Sequence, residues 1–238
     1  MKKWMLLCVL LWGCALLGRL GAPAVVPADA GAELRVETKY VALTFDDGPK
    51  RGTTDVLLDG LKERGVSATF FLVGSQIAEN RDLVARMAAE GHQVGNHTWS
   101  HTSLQKAGKA VLEAELGRTD ELLTAILGEG ESWVRPPYGL MEEWERQLVD
   151  VPLVKWNVDP RDWESRDKDK ILAAILEAVE PNSIILLHDI YEPSVKAALA
   201  AVDALQRQGY WFVTVEELLR LNGVEPQPGV LYRSGAGA

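Results

Sequence analysis

Five short stretches hold the side chains best suited to chemistry: "LTFDDGP" (43–49), "HTWSH" (97–101), "RPPYG" (135–139), "DPRDW" (159–163) and "LLHD" (186–189). Asp46 and Asp47 stand side by side where an apolar run meets a Gly-Pro turn. Neighbours in a regular strand point to opposite faces, so both can serve one site only because the chain turns there. One carboxylate then suits a metal and the other a base. His97 and His101 are spaced i and i+4. On one helical turn both imidazoles project to the same side, and one carboxylate completes the two-His-one-carboxylate set of a catalytic metal site, with a position left open for water. Arg135 precedes two stiffening prolines, where it could brace a carboxylate while the turn aims a backbone N–H at an anionic intermediate. Asp159, Asp162 and Trp163 crowd one loop. His188, closing a buried run beside Asp189, is a natural proton donor near neutral pH.

Each stretch alone has a plainer reading: turn carboxylates, a surface histidine pair, a strand exit, a solvated acidic loop. Their placement argues otherwise. Apolar runs at 40–45, 67–73, 92–97, 132–137, 152–158, 183–189 and 210–215 alternate with helical patterns, which predicts a parallel α/β sheet or barrel. The candidate residues fall at or just after the C-terminal ends of these predicted strands, and in a parallel barrel those ends share one face. Gly65, Gly91 and Gly209 each follow a helical run and precede a strand, as C-terminal caps do. The expected organisation is one catalytic domain over 38–222 and a C-terminal tail, 223–238, as an extended strap with a frayed end.

The chain has 238 residues, 47% of them hydrophobic, enough for a sizeable core. Residues 1–30 read as an export segment, with Lys2 and Lys3 ahead of an apolar run and Ala28-Asp29-Ala30 as a cleavage site; residues 31–37 form a short linker. The expected location is therefore extracellular or at the cell wall, with an uncleaved membrane anchor over residues 4–20 or a lipoprotein acceptor at Cys14 as the alternatives. Both cysteines, Cys8 and Cys14, lie in this segment, which leaves any metal site to histidine and carboxylate. Removing residues 1–30 takes away Lys2, Lys3, Arg19 and Asp29 and moves the net charge from -9 to -11. Such a domain should not seek nucleic acid or an anionic membrane; membrane contact is expected only through an uncleaved N-terminal segment.

Taken in order, the five stretches resemble the polysaccharide deacetylase family, the NodB-homology carbohydrate esterases of family 4, over residues 38–222. The resemblance implies an α/β fold, a distorted (β/α) barrel of about seven parallel strands. It further implies a divalent metal, usually zinc, with cobalt, manganese or nickel as substitutes in vitro, and hydrolysis of N-acetyl or O-acetyl groups on a polysaccharide. By the same resemblance Asp47, His97 and His101 would bind the metal, Asp46 would be the general base and His188 the general acid. Arg135 would orient Asp46, Asp162 would pair with His188, and the Tyr138 backbone N–H would complete the oxyanion site. Pro136, Pro137, Trp163 and Leu187 would line the substrate site, Trp163 and Leu187 at the acetyl group.

The stretch 186–219 further resembles bacterial peptidoglycan N-acetylglucosamine deacetylases, which implies an acetylated glycan as partner. Chitin-oligosaccharide deacetylases and acetylxylan esterases are the alternatives within the fold. Two other classes compete. A glycoside hydrolase using Asp46 and Asp162 would leave the histidine pair without a role. A glycan-binding protein would stack sugars on Trp99, Trp163 and Tyr191.

Overall fold

The chain enters the fold as β1 (Lys39–Asp46), in which every residue from Val41 to Asp46 is buried. A strand covered on both faces loses the hydrophobic-polar alternation of a half-exposed one. The computed structural model describes residues 38–130 and 132–238, so the expected export segment and linker lie outside the described residues. Six further strands come after it: β2 (Thr69–Leu72), β3 (Gln93–Asn96), β4 (Leu153–Val154), β5 (Ile184–His188), β6 (Tyr210–Phe212) and β7 (Leu231–Tyr232). The helices are α1 (Thr54–Glu63), α2 (Gly74–Ile77), α3 (Arg81–Ala89), α4 (Lys109–Leu127), α5 (Glu143–Arg146), α6 (Asp162–Ser165), α7 (Lys168–Ala178), α8 (Glu192–Arg207) and α9 (Val215–Leu221).

All strand pairs are parallel. The sheet runs β3-β2-β1-β5, with β6 against the first half of β1 and β4 paired with β7. Single bridges from Asn96 to Val134, Val134 to Leu153, and Val158 to Ile185 carry the ring from β3 round to β5. The result is a barrel whose regular half is β3-β2-β1-β5 and whose other half is held by isolated pairs.

Residue parity on β1 decides what faces the site. Val41, Leu43 and Phe45 point outward into a core shared with Leu57, Leu58 and Leu61 of α1, Ile171 and Ile175 of α7, and the apolar face of α8. Ala42 points inward, among Phe71, Trp133, Val154 and Ile184. Thr44 and Asp46 continue that inward column, two residues per step. Burying one large outward side chain such as Phe45, which stacks on Phe70 with ring centroids 5.2 Å apart, contributes about 1.5–3 kcal/mol. The outward face thus stabilises the fold, and the inward face is free to carry polar groups.

Gly65, Gly91 and Gly209 take the left-handed φ values of a helix exit, +62°, +83° and +84°. Three expectations need correction. The run 132–137 contributes only the two isolated bridges at Val134, because the two prolines that follow Arg135 cannot donate to a ladder. The run 210–215 ends as a strand at Phe212, and Thr214 caps α9 by accepting from the Glu217 backbone N–H. The tail is not frayed: Leu231 and Tyr232 are buried and pair with Leu153 and Val154, so the folded unit extends past residue 222.

Candidate active site

β1 ends with Asp46 on the inward face and opposite His188 of β5 in register. At Asp47 the backbone turns left-handed, with φ +73°, which brings the second carboxylate to the same side as the first. A Cβ at Gly48 would run into the buried Asp189 carboxylate, so only glycine lets this loop close. Asp189 itself faces away from the cleft, bonded by the Thr54 hydroxyl. Burial pushes its carboxyl up to about 7, against the pull of that hydrogen bond. Its place is under the loop.

Arg135 is fully buried and reaches the inward column from the far side of the barrel. Its Nη1 donates to Asp46 Oδ1 at 2.7 Å and to Thr44 Oγ1 at 2.8 Å, and its Nη2 donates to the Lys155 carbonyl at 3.0 Å. The guanidinium also lies over the Phe71 ring at 4.2 Å. Asp46 is thereby fixed through one oxygen, and its other oxygen faces His97.

His97 comes directly after β3 and is buried. Its Nδ1 is 2.6 Å from the Arg135 carbonyl. A carbonyl can only accept, so Nδ1 carries the proton and Nε2 presents a lone pair. That Nε2 lies 3.6 Å from Asp47 Oδ1 and 3.7 Å from Asp46 Oδ2. Burial holds the imidazole pKa below its ordinary value, against the pull of both carboxylates. His101 Nε2 is 3.3 Å from the same Asp47 oxygen.

The two histidines converge through a loop and not, as their spacing predicts, through a helical turn. Thr98 and His101 both take left-handed backbone angles, φ +66° and +59°. Asn96 anchors this loop: its side-chain oxygen accepts from the Thr98 N–H at 2.8 Å, while its amide donates to the Leu116 carbonyl and Asp120. Sequence reasoning does not single out Thr44 or Asn96. Inward parity with Asp46 flags the first, and a buried amide directly before His97 the second.

Asp47, His97 and His101 offer ligand atoms all within 4.8 Å of one another. Asp47 Oδ1 is buried and has no hydrogen-bond partner among the described residues. It faces the lone pair of His97 Nε2, so two acceptors meet with no donor between them. Such a juxtaposition needs a cation, and a carboxylate with two imidazoles is a donor set that suits a divalent metal of the zinc type.

Across the cleft, Asp162 opens α6 after Arg161, which is left-handed at φ +53°. Its two oxygens hold His188 twice, one from the backbone N–H and one from Nδ1, each at 2.8 Å. Nε2 of His188 therefore faces the cleft, 4.0 Å from Asp47 Oδ2. Burial pulls this imidazole down, but the Asp162 hydrogen bond and charge, with Asp46 and Asp47, carry it up to about 9. His188 is a charged donor through neutral pH.

The cleft between these walls has a volume of about 430 Å³ and is also lined by Tyr138, Trp156, Asp159, Trp163 and Leu186. Trp163 is 45% exposed and Tyr138 61% exposed, with its ring edge-on to His101 at 4.9 Å. Leu187 is a correction: it points outward into the core, and its neighbour Leu186, on the parity of Ile184 and His188, is the wall. Pro136 and Pro137 are a second correction: both are buried and shape the turn that sets Tyr138 at φ +61°, and neither lines the cleft. Trp99 does not offer a sugar platform, since Arg118 covers its ring at 3.5 Å. A larger hollow of about 790 Å³ beside α5 and β7 holds none of these residues.

The sequence matches the family model for polysaccharide deacetylases over residues 34–150. It is 36% identical over 180 residues to the peptidoglycan-N-acetylglucosamine deacetylase of Listeria monocytogenes, covering 76% of this chain and 39% of the relative. It is 38% identical over 180 residues to the peptidoglycan-N-acetylmuramic acid deacetylase PdaC of Bacillus subtilis, covering 76% and 38%. The chain thus spans about two fifths of the length of these curated relatives. The solved structure of peptidoglycan deacetylase PdaC from Bacillus subtilis superposes with a TM-score of 0.76 at 38% identity, covering 79% of this chain and 93% of that one.

Proposed function

The chain belongs to the polysaccharide deacetylase family, and we propose that it hydrolyses N-acetyl groups from N-acetylglucosamine units of a cell-wall polysaccharide, peptidoglycan, with zinc as cofactor. The observation that carries this reading is the division of the cleft. A neutral, lone-pair-bearing His97 beside Asp47 and His101 stands on one side, a charged His188 on the other, and Asp46 lies between them.

A divalent metal held by Asp47, His97 and His101 would polarise the acetyl carbonyl and make water a nucleophile near neutral pH. The residues of the chain account for the remaining work. Arg135 occupies Asp46 Oδ1, which leaves Oδ2 to take the proton of the water that attacks the acetyl carbon. The Tyr138 backbone N–H, carried by the rigid turn of Pro136 and Pro137, donates to the developing oxyanion, a contribution of roughly 3–4 kcal/mol for a well-placed donor. His188 gives its Nε2 proton to the departing sugar nitrogen, and Asp162 stabilises the imidazolium until then. Water is consumed, the C–N bond breaks, and the products are acetate and a free glucosamine unit. Trp163, Trp156 and Leu186 wall the acetyl group.

In this reading residues 1–30 export the domain to the cell wall, where its glycan lies. Released acetate from N-acetylglucosamine oligomers and from peptidoglycan, with and without chelator and added zinc, is the test. Acetate lost with chelator and restored by zinc is the expected result; glycan chain cleavage that resists chelator would contradict it.

A further inference from the structure

We propose that the rim of the cleft beside His188 recognises a carboxylate carried next to the acetamido sugar, which makes an acidic glycan the preferred substrate. The inference rests on the deacetylase reading. After His188 the chain turns through Ile190 and Tyr191 into α8, and two cations from separate elements close on this corner. Lys50, from the loop after Asp47, donates Nζ to the Ile190 carbonyl at 3.0 Å. Arg166, between α6 and α7, lays its guanidinium over the Tyr191 ring at 3.3 Å and donates Nε to the Trp163 carbonyl at 2.8 Å. The Tyr191 ring centroid is 6.3 Å from that of His188, and Trp163 is itself a wall of the cleft. The two cations thus touch consecutive residues, Ile190 and Tyr191, of the segment that leaves His188.

Among the described residues several cations, Lys155 and Arg118 among them, have no carboxylate partner, and it is the place beside His188 that singles out Lys50 and Arg166. Arg161 on the same loop lies over Trp163 but is paired with Glu164 at 2.6 Å. Arg51, Arg64 and Arg86 are likewise paired with carboxylates. Among the described residues neither Lys50 nor Arg166 has such a partner, in a chain of net charge -9. Stacking fixes the Arg166 plane and leaves the outer N–H edge of its fork open, the geometry that holds a carboxylate through two parallel hydrogen bonds. The left-handed turn at Arg166, φ +48°, and the Asp167 side chain capping α7 keep the loop in place. A carboxylate could come from the lactyl group of a neighbouring muramic acid or from a peptide attached to it.

The test compares acetate release from three substrates: the uncharged N-acetylglucosamine tetramer, a peptide-free N-acetylglucosamine–N-acetylmuramic acid tetrasaccharide, and the same tetrasaccharide carrying its stem peptide. The native protein should favour a carboxylate-bearing substrate in kcat/KM, and the preference should shrink as salt rises. Preference already present without peptide assigns the lactyl group; preference only with peptide assigns the stem. Arg166→Gln and Lys50→Gln should each lower the charged-to-uncharged ratio about threefold and together about tenfold, whereas Arg166→Lys keeps most of it. An equal fall on charged and uncharged substrates, or no preference in the native protein, would overturn the proposal. Binding of the three glycans to the Asp46→Asn protein, read by calorimetry, separates this inference from the chemistry. Discrimination in binding with no acetate from any substrate sinks the deacetylase reading and keeps the rim, and acetate without discrimination sinks the rim alone.

Discussion

The two walls of the cleft, proposed to face the metal and to donate the proton, each rest on a buried or nearly buried histidine, and the two differ in what Nδ1 touches. His97 gives its Nδ1 proton to a backbone carbonyl, which carries no charge, and burial keeps the ring neutral. His188 faces the carboxylate of Asp162, and the ring stays protonated to about pH 9. The partner of Nδ1 thus separates a ring held neutral from one held charged, the difference on which the proposed roles of ligand and acid rest. Neither role can be read from the histidine alone.

Substitutions should separate the walls. His97→Ala is expected to have the largest effect, removing both metal and turnover, with activity falling more than about 10⁴-fold, beyond the range for loss of a proton-transfer group alone. Metal content and acetate release together check it. Asp46→Asn should keep the metal and lower turnover by about 10²–10⁴-fold, which metal analysis beside steady-state kinetics would show. Arg135→Met leaves the buried Asp46 carboxylate without its cation, so unfolding in denaturant should report a loss of about 3–5 kcal/mol. Asp162→Asn acts on the other wall. His188 has a raised pKa, so its acid form is present below about 9 and lost as pH rises through that value. Without Asp162 the pKa falls toward its ordinary value of about 6.5, and activity at pH 8 should drop by up to about thirtyfold while activity at pH 6 changes little. A pH profile with an unmoved alkaline limb would break the comparison.

The strand ends are legible in the sequence because apolar runs and polar stops mark them directly. Asp46, His97 and His188 fall there by count, and parallel pairing brings them together whatever the loops do. The loops beyond the strand ends are less legible. The His97–His101 spacing suits a helical turn, yet Thr98 and His101 adopt left-handed angles that spacing does not encode. Counting by twos back from His188 reaches Leu186, and that rule excludes Leu187 as a wall. β7 escapes a sequence reading since two apolar residues in a Gly- and Pro-rich tail give no period, and the strand exists only through its pairing with β4, far earlier in the chain. Arg166 and Lys50 lie in unremarkable polar context, and only the fold brings them to the Ile190–Tyr191 corner.

Zinc titrated by calorimetry into chelator-stripped native protein, His97→Ala and His188→Ala tests the division of the two walls most directly. One equivalent should bind to the native protein and to His188→Ala, and none to His97→Ala. Zinc retained by His97→Ala, or lost with His188→Ala, would contradict that division.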